Sequence, residues 1–204
     1  MQGSMGTRYL QEAVMKMHLI HGIHASRKPA TKQLAPHYRK LGFEVLVHNY
    51  GFALALPRSI GDWRNEGIAT KIAGKISNGD IIVGHSNGCT VAHMIQKSHR
   101  HLSALILFQP ALDNDVAFTG VDRVLVVYNE LDDVVEQSRL ARFSSWGNMG
   151  RVGYQGPSGN VIEWDSMDPP TLPPHPYSGH CGFVENGAVV LQSWAEATGK
   201  WALT

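Results

Sequence analysis

The sequence predicts an α/β fold: a doubly wound, mostly parallel sheet with helices on both faces. Three observations predict it. Short, continuously apolar runs recur along the chain, and such runs mark strands covered on both sides. Segments with apolar residues at helical spacing lie between them. The alternation is regular up to about residue 146, which right-handed crossovers turn into helices on both faces of one sheet. A length of 204 residues suits one domain spanning 1–204, with a substantial core. Met1–Ser4, ahead of a second methionine at Met5, read as a cloning scar and are set apart from the fold.

The first strand is Met17–His21, ending on Gly22. A helix follows at Leu34–Leu41; Pro36 is tolerated in a first turn, and Gly42 stands where a helix-terminating glycine belongs. Phe43–His48 is the second strand and Asp80–Val83 the third. Directly after it, Asn87–Ser98 places Val91, Met94 and Ile95 on one helical face. Leu102–Phe108 and Val121–Tyr128 are two further buried strands, and Val134–Phe143 reads as a helix. The pattern then becomes irregular. Arg151–Tyr154 and Asn160–Trp164 read as strands around the turn Gly156–Gly159. Five of the ten prolines fall between Pro169 and Pro176, so that stretch is an extended loop. Val184–Thr198 closes the chain as a helix, with Val189, Val190 and Trp194 on its apolar face.

Composition excludes several classes. Eighteen basic residues against seventeen acidic ones leave a net charge of +1, without the excess that draws a chain to phosphate backbones or anionic lipid. No apolar run approaches the roughly 18 residues that span a bilayer. The N-terminus lacks the basic and apolar regions of a signal peptide, and two cysteines are too few for a disulfide framework. A reduced, cytoplasmic setting is the expectation.

The strongest chemical signal is Gly84-His85-Ser86-Asn87-Gly88, a G-x-S-x-G turn entered by an apolar strand and left by an amphipathic helix. So tight a turn needs small residues on both sides of the serine, and it lifts the hydroxyl above the carboxyl end of the sheet. There the helix N-terminus favours developing negative charge. Ser86 is therefore the candidate nucleophile; the bland alternative is a glycine-rich turn without chemistry.

A serine hydroxyl needs a base to take its proton. Of eleven histidines, His180 in Ser178-Gly179-His180-Cys181-Gly182 is best placed, after the last strand and before the terminal helix. His175, enclosed by Pro174 and Pro176, is the runner-up, and His85 and His93 read as packing or solvated side chains. The histidine needs a carboxylate to hold its tautomer. Asp132 and Asp133 both lie at the carboxyl end of a strand, where sites in open α/β sheets gather. Either could simply cap a helix, and one could serve each purpose; Asp113 and Asp115 are weaker candidates. An oxyanion hole needs two backbone N–H groups. Asn87, following the serine, supplies one, and the loop Ile20-His21-Gly22-Ile23-His24 is placed to supply the other from Ile23.

With these residues in hand the chain resembles the α/β-hydrolase superfamily. The order Ser86, Asp132, His180 matches that family's nucleophile–acid–histidine order. Asn129-Glu130-Leu131-Asp132-Asp133-Val134-Val135 is similar to its Gly-Glu-x-Asp-x-Val-Val acid loop, which selects Asp132 over Asp133; Asn129 replaces the glycine. Gly179-His180 with Phe183 resembles its Gly-His-x-x-Phe loop, and His21-Gly22 its oxyanion loop. Only Gln109–Gly120 separates Phe108 from the next strand, too little for the helical cap of many members. The resemblance thus implies a small, lidless serine hydrolase acting on carboxylic esters of short to medium acyl chain, with no cofactor and no metal. Tyr50–Ala55, with Tyr50, Phe52 and Leu54, and the Pro169–Pro176 loop are the segments that could roof its pocket; packing under a loop explains the first equally well.

Rival readings remain. Thioesterase, amidase and acyltransferase chemistry use the same trio. A ligand-binding protein on a hydrolase scaffold would not need it. A metal enzyme is disfavoured by the lack of His-Glu-x-x-His and Cys-x-x-Cys spacings. The one basic cluster, Lys97-Ser98-His99-Arg100-His101, reads as a solvated helix end rather than a nucleic-acid or metal site. Cys89 reads as packing, and Cys181 as a thiol explained by its neighbour.

Overall fold

The computed structural model describes residues 14–22, 30–50, 58–98, 101–135, 147–169 and 175–204. Six strands form one sheet: β1 (Lys16–Ile20), β2 (Glu44–His48), β3 (Ile81–His85), β4 (Leu102–Phe108), β5 (Val121–Tyr128) and β6 (Val161–Asp165). Their order is β2-β1-β3-β4-β5-β6, and all five pairings are parallel. The helices are α1 (Ala30–Lys40), α2 (Arg58–Ala73), α3 (Asn87–Lys97), α4 (Met149–Val152), α5 (Gly182–Glu185) and α6 (Ala188–Leu203). Strand order reverses between β1 and β3, so the crevice at their carboxyl ends is the topological switch point where open α/β sheets bind ligands.

Alternation along the strands explains the two layers. Met17, Leu19, Ile81, Val83, Ile106 and Val127 face α1 and α6, where Leu34, Tyr38 and Trp194 complete one core. Ile20, Ile82, Leu105, Leu107, Val124 and Val126 face α2 and α3 and pack on Ile72, Val91 and Ile95. Burial on both faces is why these strands read as unbroken apolar runs. Gly42 ends α1 at φ +95, where its N–H bonds the Arg39 carbonyl at 3.0 Å.

Several expectations are corrected. α1 begins at Ala30, which puts Pro36 in its second turn rather than its first. Arg151–Tyr154 is not a strand: Met149 and Gly150 give their N–H groups to Leu112 and Pro110, and α4 stops at Gly153 with φ +77. The terminal helix is broken in two at Gly187, φ +100, and its buried face is Leu191, Trp194, Ala195, Thr198 and Ala202. Val189, expected on that face, is 66% exposed. α2 was not anticipated, because Gly61 and Gly67 interrupt a segment with no clear apolar stripe. Residues 133–135 start a helix as expected; 136–146 lie outside the described residues, as do 1–5. The Gln109–Gly120 connection carries no helix, in keeping with the absence of a cap there. Among the described residues, no helix is long and apolar enough to cross a membrane.

Among the described residues five histidines are buried: His18, His21, His48, His85 and His93. Burial lowers the basicity of each. His48 is pushed down to about 4 by burial, with His18 and Lys75 adding to the effect, and His85 to about 3 by burial and by His180. In the unfolded chain they titrate near 6.5. Below that pH the unfolded state gains protons that the folded state refuses, so stability falls as pH drops from about 6.5 toward 4. Each group contributes up to about 1.4 kcal/mol per pH unit. The urea midpoint should therefore be flat above pH 7 and decline steeply between pH 6.5 and 4; an unchanged midpoint at pH 5 would contradict this.

Candidate active site

The site is built at the carboxyl ends of β1, β3 and β5. At the end of β3 the chain turns into α3 through Ser86, which is held at φ 56 and ψ −126, a left-handed backbone for a non-glycine residue. The turn survives because neighbours over-determine it. The Ser86 N–H bonds the Phe108 carbonyl at 3.0 Å, and the Ser86 carbonyl accepts from Cys89 at 2.9 Å and from Ala111 at 3.3 Å.

The glycines of the motif have a steric cause. A Cβ on Gly84 would lie 2.9 Å from the Cys89 backbone, and one on Gly88 would lie 2.3 Å from the Ile20 carbonyl oxygen. Gly88 is thus what lets α3 start directly against β1. Gly22, at the end of β1, faces the serine itself: a Cβ there would come within 2.8 Å of Ser86 Cβ and 3.3 Å of its Oγ. Ser86 is only 3% exposed.

The Asn87 N–H, first in α3, is given to no backbone acceptor among the described residues. Its side chain forms a reciprocal amide pair with Asn65 of α2, both bonds 3.0 Å long. On the facing side, Tyr50 donates its hydroxyl to the His21 carbonyl and stacks on the His21 ring at 4.1 Å. His21 in turn donates Nδ1–H to the Gly22 carbonyl at 2.7 Å. Ile23 and His24 lie outside the described residues, as do Phe52 and Leu54 and most of the two expected roofing segments.

Asp132 and His180 are brought together. His180 Nδ1–H donates to Asp132 Oδ2 at 2.8 Å, with Asp132 fully buried and the His180 side chain 10% exposed. Asp132 Oδ1 accepts the Val135 N–H at 3.0 Å, so one carboxylate both caps the following helix and holds the histidine. The sequence allows one aspartate for each duty; Asp132 performs both. Asp133 is exposed. The Ser86 hydroxyl makes no hydrogen bond to His180 in this structure, a contact that often tightens only around substrate.

Two residues to which the sequence assigns no part in the site hold this pair in place. Asn129, standing where the acid-loop pattern has glycine, is buried and has no left-handed backbone. Its Oδ1 accepts the Leu131 N–H at 2.8 Å to turn the loop, while its Nδ2 donates to Ser166 Oγ and to the Tyr177 carbonyl. It thereby ties the Asp132 loop to the segment that delivers His180. His85, read as packing, does pack on Phe183, and it also donates Nε2–H to the His180 carbonyl at 2.9 Å. The two imidazole rings lie 4.9 Å apart, which sets His180 beside the turn that bears Ser86.

The remaining candidates are structural. His93 bonds the Ala117 carbonyl and is buried, and Cys89 is buried against Phe108. His175 offers its carbonyl to Trp194. His101 is well exposed beside Asp122; His99 and Arg100 lie outside the described residues. The Cys181 thiol is pushed up to about 11 by burial and by Glu185 and Asp132, so it stays protonated and unreactive at neutral pH. No group of three or more metal-ligating side chains occurs among the described residues.

No protein-family model and no curated protein matches the chain. Solved structures do. A protein from Xanthomonas campestris assigned as a hydrolase of the alpha/beta superfamily aligns over 93% of this chain and 97% of its own, at 16% identity and a TM-score of 0.53. One from Pectobacterium atrosepticum, assigned as a YdeN-like hydrolase, aligns over 93% and 91% at 11% identity and a TM-score of 0.55. An esterase from Pyrococcus furiosus aligns over 92% and 80% at 12% identity and a TM-score of 0.55. The chain has the α/β-hydrolase fold, as its sequence motifs imply.

The steric account of the motif is testable by adding one methyl group at a time. Gly88→Ala should lose more than about 2 kcal/mol in urea unfolding or fail to fold, since its Cβ meets main chain that cannot move aside. Gly67→Ala, in α2 with open space around it, should be neutral or stabilising by up to about 1 kcal/mol. Equal effects of the two would refute that account.

Proposed function

We propose that the chain is a serine hydrolase of carboxylic esters, working through an acyl-enzyme as one catalytic domain. The observation that carries this reading is the buried Asp132–His180 hydrogen bond, held by His85 beside the strained turn that bears Ser86. A buried carboxylate bonded to Nδ1 leaves Nε2 of the neutral ring as the proton acceptor. That is the tautomer a base for Ser86 requires.

In the proposed cycle Ser86 Oγ attacks the ester carbonyl as His180 Nε2 takes its proton. The carbonyl oxygen becomes an oxyanion, bound by the backbone N–H groups of Asn87 and Ile23, and the positive end of α3 adds to its stabilisation. The C–O bond to the alcohol then breaks as His180 returns the proton to the departing oxygen. Water, giving a proton to His180 Nε2, attacks the acyl carbon; the bond from that carbon to Ser86 Oγ then breaks as His180 returns the proton to Oγ, and the acid leaves. Asp132 holds the ring throughout and stabilises its cationic form without itself taking the proton. The connection after β4 lacks a capping helix, which favours short to medium acyl chains.

Hydrolysis of p-nitrophenyl acetate, butyrate and palmitate tests the assignment. The two shorter esters should be the better substrates. Ser86→Ala and His180→Ala should each lower kcat/KM by about 10⁴-fold, and Asp132→Asn by a comparable factor. Asp133→Ala should change it by no more than about twofold. An inactive Asp133→Ala beside an active Asp132→Ala would overturn the choice of acid, and an active Ser86→Ala the whole reading.

A further inference from the structure

A cleft of about 820 Å³ opens between the end of β2 and one face of α2, within the usual size range of small-molecule sites. Ser86, Asp132 and His180 are not among its lining residues, while Tyr50, which stacks on His21, lines both this cleft and the crevice around Ser86. His48 lies at its β2 wall, and Trp63, Lys71, Ile72 and Lys75 line the opposite side.

A buried polar chain runs behind His48. Asp80 Oδ2 accepts the Ser77 N–H at 2.7 Å and the His18 Nε2–H at 2.9 Å. With its hydrogen on Nε2, neutral His18 must accept at Nδ1, so the 2.8 Å contact there is donated by His48 Nε2–H. The chain therefore fixes the His48 tautomer and leaves His48 Nδ1 as an unprotonated acceptor. No described residue donates to it, and His48 is only 7% exposed. Burying three linked polar side chains where aliphatic ones would pack departs from the economy of a core, and such departures gather at functional positions.

The other wall adds charge and an aromatic surface. Among the described residues the lining holds three cations (Arg64, Lys71 and Lys75) against one carboxylate, Glu66. Neither Lys71 nor Lys75 has an acidic partner among the described residues, and both are exposed. Trp63 stands 75% exposed at the rim, with buried Ile72 in the same wall.

We propose that this cleft is a second site, which binds a small organic anion carrying a hydroxyl or N–H donor. Lys71 and Lys75 take the anionic group, His48 Nδ1 accepts the donor, and the apolar body lies against Trp63 and Ile72. Carboxylates and phosphate monoesters share this chemistry. The inference does not depend on the hydrolase reading.

Isothermal titration of the full chain with 4-hydroxybenzoate and with 4-hydroxyphenyl phosphate tests it, the tighter of the two identifying the headgroup. At least one should bind one per chain with Kd below about 1 mM. The uncharged 4-hydroxybenzamide and the donor-less 4-methoxybenzoate should bind at least about tenfold more weakly. Lys71→Ala and Lys75→Ala, both at exposed positions that leave the fold intact, should each weaken the anion by about tenfold, and His48→Gln should do the same. Ser86→Ala and His180→Ala should leave the affinity unchanged. Absence of binding by both anions, or affinity indifferent to both lysine variants, would overturn the proposal. So would loss of binding in His180→Ala, which would place the anion beside the proposed catalytic residues.

Discussion

Holding Ser86 at φ 56 is the constraint around which the rest of the crevice is organised. A non-glycine residue in that region is unfavourable by about 1–3 kcal/mol, so the turn persists only where surrounding contacts leave no alternative. Here the N–H and carbonyl of Ser86 are both taken by chain beyond the turn, at Phe108, Cys89 and Ala111. Glycines at 84 and 88 let α3 fold back against β3 and β1 without a Cβ in the way, and Gly22 admits the serine side chain itself. The parallel sheet makes this workable: with every strand pointing the same way, the ends of β1, β3 and β5 arrive at one edge, where their loops can meet.

The second half of the crevice is assembled by buried polar ties rather than by regular structure. Asn129 links the Asp132 loop to Ser166 and Tyr177, and Gln109 holds the Tyr177 hydroxyl at 2.6 Å. Phe183 stacks on Phe108 at 4.7 Å and packs edge-on against His85. Tyr177, three positions before His180, and Phe183, three positions after it, are thus pinned to the sheet, and His85 secures the His180 carbonyl between them. Because the partners sit on β4, β5, β6 and the β3 turn, the position of the imidazole depends on the sheet as a whole.

What the sequence disclosed follows from the range of the interactions involved. β4 and β5 were legible to the residue because strands buried on both faces leave unbroken apolar runs. The proposed trio of Ser86, Asp132 and His180 could be picked out because each sits in a short motif whose spacing has a local cause. α2 could not, since its glycines hide a helix held by packing on α3 and by the Asn65–Asn87 pair, a contact 22 residues distant in sequence. The break at Gly187 and the short helix at Met149 depend likewise on partners far along the chain. Asn129 looked like a substitute for glycine, and its actual work, bridging to Ser166 and Tyr177, appears only when those residues are seen beside it. The same holds for the Asp80–His18–His48 chain, whose members are 30 and 62 residues apart.

The central claim is that Ser86 is an activated nucleophile. Intact-mass analysis after exposure to a fluorophosphonate, run on the wild-type chain and on Ser86→Ala, addresses it most directly, because phosphonylation requires a serine deprotonated by its own neighbours. A single adduct on the wild-type chain that vanishes in the Ser86→Ala variant is the result this account predicts. A folded wild-type chain that takes up no adduct, or an adduct that persists in Ser86→Ala, would contradict it.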